Sequence, residues 1–210
     1  MNSDSRRTFL LSTVALTLTA CSKKPKGTAL PSGATVLALG DSITAGVGAT
    51  AATSYPAVLA QLTGWNVVNG GVSGDKSADA LVRLPALLEE HSPRLVIVSI
   101  GGNDFLRGVD EAVTRANVTA IIEMSLRAAS QVVLVAIPKL SALALVGALS
   151  DHPLYAALTT QFKLPLIEGA WSHVLSDKAL KSDQIHANAA GYKVFAELAV
   201  KQLRASGIAG

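Results

Sequence analysis

At 210 residues, half of them hydrophobic, the chain is long enough to bury the core of one α/β domain and carry a short appendage besides. A formal charge of +3, thinly spread and with no Lys/Arg run interleaved with aromatics, argues against a nucleic-acid partner. The single cysteine, Cys21, excludes an intrachain disulfide and a cysteine-rich metal site.

The first residues read as an address. Ser5-Arg6-Arg7-Thr8-Phe9-Leu10 has the twin arginine of an export signal, and the apolar run Leu10 to Ala20 follows it. That run is short for a membrane span. It ends in Leu18-Thr19-Ala20-Cys21, which resembles the lipobox of bacterial lipoproteins and implies lipidation at Cys21. A plain cleaved signal peptide and an uncleaved anchor helix are the rival readings. Two signals in the right order favour the lipoprotein. Loss of residues 1–20 removes Asp4, Arg6 and Arg7 and lowers the formal charge from +3 to +2. Ser22 after the cysteine, by the same resemblance, favours the outer membrane of a diderm cell, with the domain on the periplasmic side. Residues 21–33, with lysines, prolines and glycines, read as a tether. Residues 34–210 then form the folded domain.

Ala34 to Leu39 is an apolar run with the length of a buried first strand. It exits into Gly40-Asp41-Ser42, with Gly46 closing the turn. Ser54 suits the N-cap of a helix over Ala57–Leu62, with Pro56 near its start. Trp65–Val68 is a short second strand that leaves through the glycine-rich Asn69 to Asp75. A stripe of Leu81, Leu84, Leu87 and Leu88 predicts a helix over Lys76–His91, which Pro85 should kink or delay. Leu95–Ile100 is an unbroken apolar run, the pattern of a central parallel strand. It exits into Gly101-Gly102-Asn103-Asp104. A helix over Glu111–Ala129, a strand over Gln131–Ile137, a helix over Tyr155–Phe162, a strand over Leu164–Ile167 and a closing helix over Ala189–Ala205 complete the pattern. Leu140–Leu149, apolar and uncharged, reads as core helix or as a flap towards substrate. Five β-α repeats predict a flavodoxin-like, three-layer α/β/α fold with a five-stranded parallel sheet.

In such a sheet the first three strand exits meet at one edge, where ligands bind. Alone, Ser42 reads as a turn residue that caps a helix. Together the exits offer a hydroxyl at Ser42, N–H groups at Ser42 and Gly74, and the side-chain amide of Asn103. A hydroxyl beside such donors suits acyl transfer through a tetrahedral oxyanion. A base is still needed. His91, after Glu89-Glu90, reads as a surface residue, and His152 and His173 as ordinary satisfied histidines. His186 follows the last strand, opposite Ser42, and Asp183 three residues earlier can orient it.

Gly40-Asp41-Ser42, Gly74 within Ser73-Gly74-Asp75, Gly102-Asn103-Asp104 and Asp183-Gln184-Ile185-His186, in this order, resemble the four blocks of the SGNH (GDSL-type) hydrolase superfamily. Leu84 to Leu88 and Gly101 to Gly108 are similar to its bacterial acyl-thioesterase, lysophospholipase and arylesterase branch. The resemblance implies a serine ester or thioester hydrolase with Ser42 as nucleophile, His186 as general base and acid, and Asp183 as its orienter. Ser42, Gly74 and Asn103 supply the oxyanion hole. The expected substrate is a small acyl ester or lipid; no cofactor is expected, and Cys/His spacing suggests no metal. The lipobox-like Cys21 supplies the membrane contact, and a monomer is the expected state. Two positions depart from the family pattern. Ala187 stands where a proline often follows the histidine, and residues 137–149 lack the polar character of the branch's substrate loop. The alternatives are a carbohydrate or peptidoglycan O-acetylesterase, against which the 4% aromatic content leans, and a binding lipoprotein without catalysis. A nucleotide-binding module is weaker, since Gly40-Asp41-Ser42 is no phosphate-cradling G-x-G-x-x-G.

Overall fold

Three apolar runs, Ala34–Leu39, Leu95–Ile100 and Val132–Ile137, supply the three inner strands of a five-stranded parallel sheet. The computed structural model describes residues 25–128, 130–139 and 149–210. The strands are β1 (Thr35–Gly40), β2 (Asn66–Gly71), β3 (Leu95–Ser99), β4 (Gln131–Val135) and β5 (Leu166–Ile167). Their order is β2-β1-β3-β4-β5, all parallel, with Val36 facing Val67 on one side and Leu95 on the other. This is the flavodoxin-like sheet that the β-α rhythm predicts. β3 is buried along its whole length because helices cover both faces of the sheet. β2, at an edge, is only partly covered.

The helices are α1 (Ser42–Ala45), α2 (Tyr55–Thr63), α3 (Ser77–His91), α4 (Gly102–Leu106), α5 (Glu111–Arg127), α6 (Pro153–Phe162), α7 (Ala170–Ser176) and α8 (Ala189–Ala205). α3 packs on α5, while α2 and α7 pack on α8. Three of these, α1, α4 and α7, are short and were not legible as helices, because one or two turns give too few residues for a periodic stripe. α3 runs unbroken through Pro85, which is exposed, so water can take the carbonyl that the ring leaves without a donor. Ser54 does stand at the N-cap of α2, yet its hydroxyl donates to the Ala51 carbonyl at 2.8 Å instead of capping the helix.

Residues 1–24, including Cys21, and residues 140–148 of the apolar Leu140–Leu149 stretch lie outside the described residues. The stretch expected as a tether behaves otherwise where it is described. From Gly27 it is docked on the domain. Gly27 N–H donates to the Ser206 carbonyl (2.8 Å), Leu30 N–H to Ile208 (2.9 Å) and Gly33 N–H to Gly64 (2.7 Å). Leu30 is buried. No helix among the described residues is long and apolar enough to cross a membrane.

An aromatic cluster locks the α7–α8 side to the sheet. Trp171 stacks on Phe195 at 3.6 Å between ring centroids and meets Tyr55 and Tyr192 edge-on. Its indole N–H donates to Ser99 Oγ at 3.3 Å, at the end of β3. Trp171 is fully buried. Trp171→Ala is therefore expected to cost about 3–5 kcal/mol of folding stability, read as a lower midpoint in urea unfolding.

Candidate active site

The turn at Ser42 exists because three glycines let backbone crowd the end of β1. A Cβ on Gly40 would lie 2.0 Å from Thr44 Oγ1, and one on Gly71 would lie 2.1 Å from the backbone nitrogen of Ala45. Gly46 closes α1 in the left-handed region at φ 95°. Asp41 caps the turn by accepting the Ile43 N–H at 3.1 Å. Ser42 is the first residue of α1, so its N–H has no acceptor within the helix.

His186 reaches this turn from the other end of the chain. Its Nε2 lies 2.9 Å from Ser42 Oγ, across 144 positions of sequence. Asp183 serves it twice. Oδ1 accepts the N–H groups of Ile185 and His186, each at 2.8 Å, and so shapes the loop. Oδ2 lies 2.7 Å from His186 Nδ1. A carboxylate at Nδ1 selects the tautomer in which Nδ1 donates and Nε2 accepts from the serine hydroxyl. Partial burial pushes the Asp183 carboxyl up. The hydrogen bonds from Ile185 and from the His186 ring and N–H outweigh it and hold the group below the usual carboxylate range.

The loop that carries His186 is held in place without a proline. Lys181 and Ala187 form an antiparallel bridge. Ser182 N–H donates to the His186 carbonyl at 3.0 Å. Asn188 donates to the carbonyls of Ala179 and Lys181 and caps α8 by accepting the Gly191 N–H. Ala187, where the family often has proline, is fully buried. Two contacts bring this loop to the Ser42 turn. A Cβ on Gly48 would collide with Ser182 Oγ and the Ala187 carbonyl. Tyr192 of α8 donates to the Val47 carbonyl at 2.6 Å.

Asn103 joins all three strand exits. It lies in α4, and its Nδ2 donates to the Asp75 carbonyl at 3.0 Å and stands 3.5 Å from Asp41 Oδ2. Gly74, one residue before Asp75, has φ +86°, a conformation that disfavours any side chain. The sequence-predicted Ser42, Gly74, Asn103, Asp183 and His186 thus converge at the carboxyl edge of the sheet. The other histidines do not. His91 is half-buried beside Glu90, His173 is exposed, and His152 is buried against Phe105, with Nδ1 accepting the Leu154 N–H. Burial lowers the pKa of His152.

The supporting roles of four residues, Arg83, Asp75, Asp104 and Tyr155, escaped the sequence reading. Arg83 donates to the Gly40 carbonyl (2.8 Å) and to Asp75 Oδ2 (2.7 Å), so it ties the first exit to the second. Asp104, fully buried, accepts from the Ser77 N–H and hydroxyl and from Thr114, so it ties the third exit to the start of α3. Tyr155 donates to the Ile100 carbonyl at 2.7 Å. Adjacency of Asp75 and Asp104 to the glycine-bearing exits was the only local signal for any of them.

A hollow of about 340 Å³, lined by Pro25, Thr159, Leu164, Leu166, Gln202 and Ala205, lies at the amino edge of the sheet, away from Ser42. Among the described residues no cluster of three His, Cys, Asp or Glu could hold a metal ion.

Two measurements follow from this geometry. Burial is the main reason that the Asp41 carboxyl is pushed up to about 6, against 3.8 unperturbed. Between those values the folded state binds more protons than the unfolded chain, so this group's contribution to stability falls as pH rises. Asp41→Asn removes that component. Its unfolding free energy in urea should fall less across the window than the parent's, by up to about 3 kcal/mol. Asp104→Ala should cost about 1–3 kcal/mol for each Ser77 donor left buried, with Asp104→Asn less severe, in the same assay.

Known proteins resemble this chain in sequence and in fold. Residues 38–194 match the GDSL-like Lipase/Acylhydrolase family. The chain is 34% identical over 175 residues to the Thioesterase 1/protease 1/lysophospholipase L1 of Escherichia coli strain K12, covering 81% of this chain and 83% of that one. It is 38% identical over 108 residues to Esterase TesA of Pseudomonas aeruginosa, covering 49% of this chain and 54% of that one. Among solved structures, that of TesA superimposes with a TM-score of 0.71 at 29% identity, over 81% of this chain and 98% of that one.

Proposed function

The chain belongs to the GDSL-like lipase/acylhydrolase family, and from that premise we propose that it hydrolyses acyl esters or thioesters through an acyl-enzyme on Ser42. The observation that carries the reading is the unbroken relay from Asp183 through His186 to Ser42, with contacts of 2.7 and 2.9 Å. His186 Nε2 takes the serine proton as Oγ attacks the acyl carbonyl. The developing oxyanion is received by the N–H groups of Ser42 and Gly74 and by the Asn103 amide, whose Nδ2 donates to the Asp75 carbonyl at 3.0 Å and gives up its longer, 3.5 Å contact with Asp41 Oδ2 to the substrate. His186 then protonates the leaving alcohol or thiol. Water then gives a proton to the same nitrogen as its oxygen attacks the acyl carbon. The acyl–Oγ bond breaks, His186 returns the proton to Ser42 Oγ, and the acid leaves. Asp183, kept ionised by its hydrogen bonds, holds the ring and balances the imidazolium.

The relatives named as thioesterase, lysophospholipase and esterase support an acyl rather than a sugar-acetyl substrate. We place the protein in the cell envelope as a twin-arginine-exported, monomeric lipoprotein held by Cys21, on the periplasmic side of the outer membrane. The support is the twin arginine, the lipobox-like Leu18 to Cys21 and Ser22.

Hydrolysis of p-nitrophenyl esters from short to long acyl chains tests the catalytic reading. Ser42→Ala should lower kcat by about 10³-fold or more, and His186→Ala by a similar factor. Ser42→Ala and His186→Ala combined should cost little beyond either alone, because the two residues act as one unit. Equal rates in the parent and Ser42→Ala would overturn the mechanism. Activity confined to acetyl groups on sugars would overturn the substrate class.

A further inference from the structure

The docked strap at residues 25–33 fixes where the chain leaves the domain. Its partners all lie at the amino ends of the strands. Thr28 exchanges two hydrogen bonds with the side chain of Gln131, the first residue of β4 (2.7 and 2.8 Å). Ser32 and Gly33 donate to Gly64, just before β2. Gly27 and Leu30 donate to Ser206 and Ile208, beyond the end of α8. Gly27 admits no side chain, since a Cβ would lie 2.3 Å from Ile208 Cγ1. Pro25 lines the hollow beside Leu166, where β5 begins. Ser42, Gly74, Asn103 and His186 stand at the opposite, carboxyl edge. The six residues of β1 alone separate the two edges by roughly 20 Å.

We propose that the strap turns the catalytic edge away from the membrane that anchors the protein, so that the enzyme takes its acyl ester from the aqueous side and not from its own leaflet. The inference rests on lipidation at Cys21 and on the esterase reading above. Only three residues, Ser22 to Lys24, lie between Cys21 and Pro25, so the four steps from one to the other reach at most about 14 Å even when extended. With so short a leash the amino edge of the sheet stays beside the bilayer and Ser42 faces outward. A water-borne ester, or one on a surface opposite the anchor, meets the site directly.

The protein's one cysteine is the lipidation position, so a second, introduced cysteine is a unique thiol in the lipidated protein. Arg94 is exposed just before β3, at the amino edge, and Leu106 is exposed at the end of α4, at the carboxyl edge. Arg94→Cys and Leu106→Cys are each labelled with a fluorophore in the full lipidated chain, reconstituted in phosphatidylethanolamine–phosphatidylglycerol vesicles that carry an acceptor lipid. Energy transfer from position 94 should be at least double that from position 106. The anchored protein should hydrolyse a soluble p-nitrophenyl ester but not a non-exchanging acyl ester held in the same leaflet. Gly27→Val, or the milder Gln131→Ala, should narrow the difference in transfer while hydrolysis of the soluble ester persists.

Equal or reversed transfer in the lipidated protein overturns the orientation, as does ready hydrolysis of the embedded ester. A difference that survives both strap variants overturns the strap as its cause. A protein whose mass shows no lipid at Cys21 overturns the anchor reading and this inference with it. Loss of the soluble-ester activity on Ser42→Ala is read separately, so failure of the esterase reading is distinguishable from failure of the orientation.

Discussion

The end of β1 is crowded to the point where only hydrogen fits. Without side chains at Gly40 and Gly71, α1 can sit directly on the sheet edge, with the backbone of Ala45 against β2. Any Cβ at Gly71 would overlap backbone, which cannot rotate away as a side chain would. That approach sets the position of Ser42 to within the slack of a packed turn. Everything else in the site is arranged against it, since a hydroxyl displaced by an ångström no longer meets an imidazole or an oxyanion hole.

Around that fixed point the polar groups work as ties between loops. Asn103 reaches both other exits, Arg83 bridges the first to the second, and Asp104 anchors the third to α3. Each tie places a charged or amide group where burial removes competing water, so each bond holds more firmly than it would at the surface. Asp41 bears the cost of this arrangement. Buried near two other carboxylates, its charged form is disfavoured, although the Ile43 N–H and the nearby His186 offset part of that effect.

The strands, their order and the candidate site residues were all legible because each has a local signature. Ala34–Leu39 and Leu95–Ile100 announce buried parallel strands by unbroken apolarity, and the glycines after them announce exits. Asp183 and His186 are three residues apart, so their pairing is a matter of one turn. What escaped had no such signature. α1, α4 and α7 are too short for periodicity, Arg83 and Asp104 act across 43 and 27 positions of sequence, and the strap at Gly27–Gly33 looks like a linker by composition.

The chain by itself determined the apolar runs, the glycine-bearing exits, the serine and the Asp-x-x-His, because each is a property of neighbours in sequence. Tertiary structure alone decided that His186 meets Ser42. That meeting needs α8 to run back beneath α2, Tyr192 to tie to Val47, and the loop at Ser182 to seat against Gly48. It also decided that the strap docks on the edge opposite the site. Both outcomes depend on contacts between segments far apart in the chain, and burial and packing in the folded domain are what choose among such contacts.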